Sequence, residues 1–214
     1  MSALKSEKQL AGKLDDWVDP IAPLFFQQAY WKKVPLFVKG GPDRLEELRA
    51  AFLGLDLSAL LQSAGKPDEN CIRAWWLNNG RNDTRLQVQP AQALILFDAD
   101  FTLYFEPKAS AVLKLFEELM VGSGNPLNAA ILSVFASKKG HFTPTHTDNN
   151  ENFTIQLSGA KEWIVGHESA PETKKFFLEP GDMLYCPGPW AHSVRALEDS
   201  ISLNLSFIKQ IGKA

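Results

Sequence analysis

Apolar residues recur at helical spacing in several stretches of the first half of the chain, then switch to short alternating runs in the last third. Pro23 can open a helix at its first turn, and PLFFQQAYWKK supplies an apolar face, which predicts a helix over 23–33 ended by Pro35. VPLFV then reads as a short strand. Asp43 followed by Glu46 forms an N-terminal capping pattern, and Leu45, Leu48, Ala51 and Phe52 follow at helical spacing, predicting a helix over 44–53. A second short helix is expected near Leu57–Ser63. FTLYF (101–105) is alternating and aromatic-rich, as a strand is, and Val112, Leu115, Phe116 and Leu119 mark one face of a helix over 109–121.

From residue 129 the chain breaks into eight short segments: AAILSVFAS, HFTPTHTD, NFTIQLSG, KEWIVG, KKFFLEPGD, MLYCPG, AHSVRAL and SISLNLSF. Turn residues separate them, with Gly in SGAK and EPGD where a tight reversal can need positive φ. Eight closely spaced strands predict a sandwich or barrel, mainly β with flanking helices. No repeat, low-complexity tract or linker divides the sequence, so a single domain over 1–214 is expected. Residues 1–128 would form a mostly helical cover with a few strands, and 129–208 the barrel core.

Composition changes this picture little. With 214 residues and 45% hydrophobic content the chain can bury one good core. Its net charge of −3 does not favour bulk attraction to nucleic acid or an acidic membrane. The N-terminus lacks the apolar core of a secretory signal, and no stretch is long enough to span a bilayer, so a cytoplasmic protein without membrane partners is expected. Cys71 and Cys186 stand far apart without a CxxC pattern, which suits a reducing compartment and buried, unpaired thiols.

The candidate chemistry lies in Gly140-His-Phe-Thr-Pro-Thr-His146-Thr-Asp148, followed later by Gly188-Pro-Trp-Ala-His192. Strand residues i and i+2 face one side, so His146 and Asp148 can aim an imidazole and a carboxylate at one point. His192, on a strand folding back beside the first, would complete a two-His-one-carboxylate set with open positions for a co-substrate and oxygen. An HxD pair with a later His also arises by chance, and zinc can occupy the same donors, so the triad alone does not choose the metal. His141 and His167 lack a carboxylate at suitable spacing and read as non-ligands.

Lys161 opens the strand KEWIVG and can point inward with Trp163. Buried, it needs an anionic partner such as a dicarboxylate; at a strand edge it is an ordinary exposed lysine. Thr143 could add a hydroxyl to that carboxylate. In SISLNLSF, Ser202, Asn204 and Ser206 form one face and Ile201, Leu203, Leu205 and Phe207 the other, so the polar face lines either a cavity or solvent. Trp75 and Trp76 fit a substrate groove or a buried aromatic pair, and Trp190 a core position beside His192.

These segments resemble the JmjC/cupin-fold Fe(II) and 2-oxoglutarate oxygenases, especially the ribosomal-oxygenase (cupin-4) and asparaginyl-hydroxylase branches. FFQQAYWKKVPLFVKGG, ALILFDADFTLYF (similar to the strand region before the barrel), HTDNNENFTIQLSGAKEWIVG and FFLEPGDMLYCPGPWAHSV follow the family's order over most of the chain. The resemblance implies a double-stranded β-helix, or jelly roll. It implies Fe(II) held by His146, Asp148 and His192, with the distal carboxylate of 2-oxoglutarate on Lys161. Thr143 matches a threonine of the asparaginyl-hydroxylase type and Asn152 an asparagine near the cosubstrate there. Ser206 stands where that branch has asparagine, and Asn204 is the neighbouring candidate for its role. The expected reaction consumes O2 and 2-oxoglutarate, releases succinate and CO2, and hydroxylates a protein, peptide, small-molecule or amino-acid-like substrate. A cupin binding module for a small acid and a cupin metalloenzyme that does not use 2-oxoglutarate remain alternatives.

Overall fold

The computed structural model describes residues 17–41, 46–53, 56–66, 68–78, 81–122, 129–167 and 172–208. Among the described residues, helices α1 (Pro23–Ala29), α2 (Glu46–Leu53), α3 (Leu57–Ser63), α4 (Pro90–Asp98) and α5 (Ser110–Gly122) accompany twelve strands. The first four strands are β1 (Leu36–Val38), β2 (Ile72–Asn78), β3 (Arg81–Val88) and β4 (Thr102–Phe105). The remaining eight are β5 (Ala130–Ser137), β6 (Phe142–His146), β7 (Glu151–Ser158), β8 (Lys161–Gly166), β9 (Lys174–Leu178), β10 (Met183–Cys186), β11 (Ala191–Ala196) and β12 (Ser200–Phe207). They form an eight-stranded sheet, β1-β10-β7-β12-β5-β4-β2-β3, and a four-stranded sheet, β6-β11-β8-β9. Every strand pair is antiparallel. This is the jelly-roll architecture, with both sheets contributing to one interior.

Two cores follow from the alternation. Phe153, Ile155 and Leu157 on β7, and Leu203, Leu205 and Phe207 on β12, pack with Val112, Leu119, Met120, Phe52 and Phe26 in the larger core. The large sheet therefore turns its apolar face to the helices. Its opposite face carries Asn152, Thr154 and Ser202, buried as well, with Asn204 and Ser206 half-buried beside them, and looks toward the small sheet. Between the sheets a second cluster gathers Trp163, Val165, Leu178, Leu184, Cys186 and Trp190. The polar side of SISLNLSF thus lines the interior rather than solvent.

Several boundaries depart from the expectations. The first helix ends at Ala29, not at Lys33, because the chain turns through Tyr30 and adopts positive φ at Lys32. ALILF is not a strand: Pro90 occupies the first turn and Gln92 accepts a hydrogen bond from the Gln89 N–H at 3.1 Å, so the apolar run forms α4. β2 and β3 were not anticipated, and they extend the large sheet beyond the barrel. The expected helix over 44–53 is described from Glu46 onward, and its proposed cap at Asp43 lies outside the described residues. Cys186 is buried but Cys71 is only half-buried. Among the described residues no helix is long and apolar enough to cross a membrane.

Candidate metal centre

His146 closes β6 and sits directly opposite His192 on β11. Paired residues of an antiparallel ladder point to the same face, so both imidazoles enter the interior side by side, with ring centroids 4.4 Å apart. Asp148 does not reach them by strand alternation. It lies past the end of β6, in the connection that carries the chain to β7 on the other sheet. Its Oδ1 is 3.7 Å from His146 Nε2 and its Oδ2 is 3.6 Å from His192 Nε2. Donor atoms of the three residues all lie within 4.8 Å of one another, a grouping able to hold a metal ion.

The imidazoles are oriented for that role. His146 Nδ1 lies 2.9 Å from the Pro144 carbonyl oxygen and His192 Nδ1 lies 3.2 Å from that of Trp190. A carbonyl only accepts, so these contacts place the protons on Nδ1 and leave each Nε2 lone pair facing Asp148. Burial, followed by the neighbouring His146, lowers the pKa of His192 from its ordinary value, which favours the neutral imidazole a metal needs. Trp163 stacks on the His192 ring at 5.3 Å. The His192 side chain is 5% exposed, against 41% for His146 and 36% for Asp148, so the centre opens to one side only.

Thr143 shares this interior through a defect in the ladder. Residues three apart on a regular strand face opposite ways, yet Thr143 pairs with Val194 and His146 with His192, because β6 carries one extra residue there. Pro144 lies within that irregular stretch, where the missing N–H is tolerated. One row further along, Ala196 pairs with Lys161 on one side, and its N–H donates to the His141 carbonyl at 2.8 Å on the other.

Lys161 is 4% exposed and donates to Ser202 Oγ on the opposing sheet at 2.7 Å. Among the described residues no carboxylate pairs with it. Burial brings its ammonium down to about 7. Among the described residues, Trp163 Nε1 and Ser133 Oγ are buried without a hydrogen-bond partner. Such unmatched polar groups are uncommon in a folded interior and fit a polar ligand.

Asn152 donates from Nδ2 to Asp148 Oδ2 at 2.6 Å, and its Oδ1 accepts from Ser206 Oγ at 2.7 Å. Asn204 Nδ2 donates to Ser206 Oγ at 3.0 Å and its Oδ1 accepts from Thr154 Oγ1 at 3.1 Å. Asn152, Asn204 and Ser206 therefore meet at the carboxylate side of the triad, whereas Lys161 is tied to Ser202. His141 and His167 stand outside the triad. His141 accepts from Trp75 Nε1 at 3.1 Å, and burial, with Lys161 nearby, lowers it to about 4. His167 packs on Trp190. Trp75 and Trp76 do not form a buried pair: Trp75 turns to His141 and Phe135, while Trp76 is exposed. Sequence reasoning passed over Gly188, where a Cβ would lie 2.9 Å from the Asp148 carbonyl oxygen and 3.1 Å from that of Asn150. Its lack of a side chain lets the Asp148 connection pack against the approach to β11.

Residues 114–175 and 167–213 match the JmjC domain family. Uncharacterized protein YxbC of Bacillus subtilis is 24% identical over 234 residues, covering 91% of this chain and 70% of that protein. Ribosomal oxygenase 1 of Gallus gallus is 24% identical over 232 residues, which is 96% of this chain but 38% of that protein. The crystal structure of Escherichia coli ribosomal oxygenase YcfD aligns with a TM-score of 0.58 at 21% identity, over 88% of this chain and 52% of that one. YcfD in complex with cobalt and 2-oxoglutarate aligns with a TM-score of 0.56 at 22% identity, over 86% and 50%. The chain thus spans well under two thirds of these ribosomal oxygenases, and at such identities the structural likeness concerns the fold. The matched segments, the jelly-roll topology and their order agree: residues 114–213 resemble a JmjC domain, set in a cupin-type fold similar in sequence and architecture to the ribosomal oxygenases.

Proposed function

We propose that the protein is an Fe(II)- and 2-oxoglutarate-dependent oxygenase that hydroxylates a protein, peptide or amino-acid-like substrate, in a reducing, cytoplasmic setting. The observation that carries this reading is the pairing, in one interior, of two imidazoles that both aim Nε2 at a carboxylate with a buried lysine that has no acidic partner among the described residues. Soft thiolate ligands are absent from the triad, and the N,N,O set suits ferrous iron with positions left for small ligands. YcfD, solved with cobalt and 2-oxoglutarate, offers a precedent on the same fold.

His146, Asp148 and His192 would hold the iron through Nε2, a carboxylate oxygen and Nε2. Lys161 would bind the distal carboxylate of 2-oxoglutarate, with Thr143 on the same interior face as a candidate hydroxyl donor. Bound Fe(II), 2-oxoglutarate and O2 together supply oxidative decarboxylation to succinate and CO2, coupled to C–H hydroxylation. The protein's share is to orient and to exclude water. The Pro144 and Trp190 carbonyls fix the imidazole tautomers, and the apolar cluster around Trp163 closes the buried side of His192. The half-exposed flank at His146 and Asp148 is where a substrate side chain would approach.

Purified protein supplied with Fe(II), ascorbate and 2-oxoglutarate is expected to release succinate, slowly alone and faster with substrate present. Cell-extract fractions that stimulate turnover, followed by mass spectrometry for a gain of one oxygen, identify the target. Succinate release no greater than that of His146→Ala, with 2-oxoglutarate still bound, would instead indicate a binding module.

A further inference from the structure

The polarity of the hydrogen bonds beside Asp148 is forced from one end. A carboxylate accepts, so Asn152 must present its amide N–H to Oδ2 and its carbonyl oxygen to the other side. That oxygen accepts, so the Ser206 hydroxyl must donate to it and can receive only from Asn204. The Asn204 amide is then turned with Oδ1 toward Thr154, whose hydroxyl donates. Four bonds of 3.1, 3.0, 2.7 and 2.6 Å run one way and shorten toward the charge. Register builds this line: β12 pairs with β7 so that Asn204 faces Thr154 and Ser206 faces Asn152. Asn152 and Thr154 are buried, 6% and 5% exposed, and Asn204 and Ser206 are half-buried, which limits how far solvent competes for these bonds.

The small sheet supplies both imidazoles, but Asp148 sits in a connection between sheets, with no ladder to hold its side chain. We infer that Thr154, Asn204, Ser206 and Asn152 form a directional relay that anchors the Asp148 carboxylate to the large sheet and presents its other oxygen to the metal, with Asn152 and Ser206 as positioning residues. This rests on the metal role proposed above for Asp148. It assigns Asn152 and Ser206 to the metal ligand rather than to the cosubstrate, and it gives Asn204 a place as the link that orients Ser206.

The test is titration of metal-free protein with Mn(II), followed by calorimetry, and with Co(II), followed by its visible absorption bands. Ser206→Ala cuts the relay at its centre and is expected to weaken Mn(II) binding about tenfold or more, the usual scale for losing a partner behind a ligand. Ser206→Thr keeps the hydroxyl on a strand position and restores affinity to within about threefold of wild type, whereas Thr154→Val, at the far end, costs about threefold or less. Ser206→Ala also alters the Co(II) bands while the thermal midpoint stays near that of Ser206→Thr, a combination a purely structural role does not give. Wild-type protein that binds no Mn(II) overturns the metal reading and the relay with it. Wild-type binding with Ser206→Ala equally tight and spectrally unchanged overturns the relay alone.

Discussion

Replacing Lys161 by methionine separates a cosubstrate site from a structural lysine, because the two roles predict opposite signs. Burial holds the Lys161 ammonium near 7 against an ordinary 10.5, so at pH 8 the amine is about 90% neutral. A carboxylate docking on it restores the charged form, and binding of 2-oxoglutarate should then take up roughly 0.9 proton at pH 8 and roughly 0.5 at pH 7. Calorimetry of 2-oxoglutarate binding to Mn(II)-loaded protein, in buffers of different ionisation enthalpy, counts those protons. Lys161→Met should bring the count near zero and weaken binding by about two to three orders of magnitude, since it leaves a buried carboxylate unpaired. Without ligand the effect reverses. With the folded pKa depressed, the unfolded chain binds more protons between about pH 7 and 10.5, so stability rises with pH across that window and falls as pH drops toward 7. The gap between 10.5 and about 7 amounts to roughly 5 kcal/mol, of which about 4 is felt at pH 7. Methionine removes that cost but strands the Ser202 hydroxyl, worth about 1–3 kcal/mol, leaving the ligand-free variant more stable by roughly 1–3 kcal/mol in urea unfolding. A proton count unchanged by the substitution, or a ligand-free Lys161→Met protein less stable than wild type, would refute the reasoning.

Two glycines offer further checks. Gly159 has φ +64°, and a Cβ there would lie 2.2 Å from the Asp199 carbonyl oxygen, so Gly159→Ala should destabilise the protein by roughly 2–4 kcal/mol, read from its urea midpoint. Gly188→Ala should leave the fold intact but push the Asp148 connection outward, weakening Mn(II) binding by about tenfold. Metal affinity equal to wild type would show that the connection yields without moving the carboxylate.

The alternation in ENFTIQLS and SISLNLSF was enough to sort side chains onto two faces, but not to say which face met solvent. That was settled by α1, α2 and α5, which cover Phe153, Leu203 and their neighbours and leave the polar face inside. Asp148 shows the limit of spacing arguments more sharply. An i, i+2 rule placed it beside His146, and it does meet His146, yet it does so from beyond the strand. The same rule applied to Thr143 and His146 would have set them on opposite faces, and an extra residue in β6 cancels it. The strand around Trp75 and Trp76 and the helix at ALILF were missed for a simpler reason. A short continuous apolar run fits helix and strand alike, and Asn79-Gly80, which stands in the sequence between β2 and β3, is a two-residue hairpin signal that the aromatic pair alone does not convey. The relay was hidden most completely. Asn152 and Ser206 are 54 positions apart, and only the pairing register of β7 with β12, a tertiary property, turns four ordinary polar residues into one directed line ending on Asp148. Facial pattern is written locally in such a chain, while the alignment that gives a polar face its chemistry comes from how the two sheets are closed.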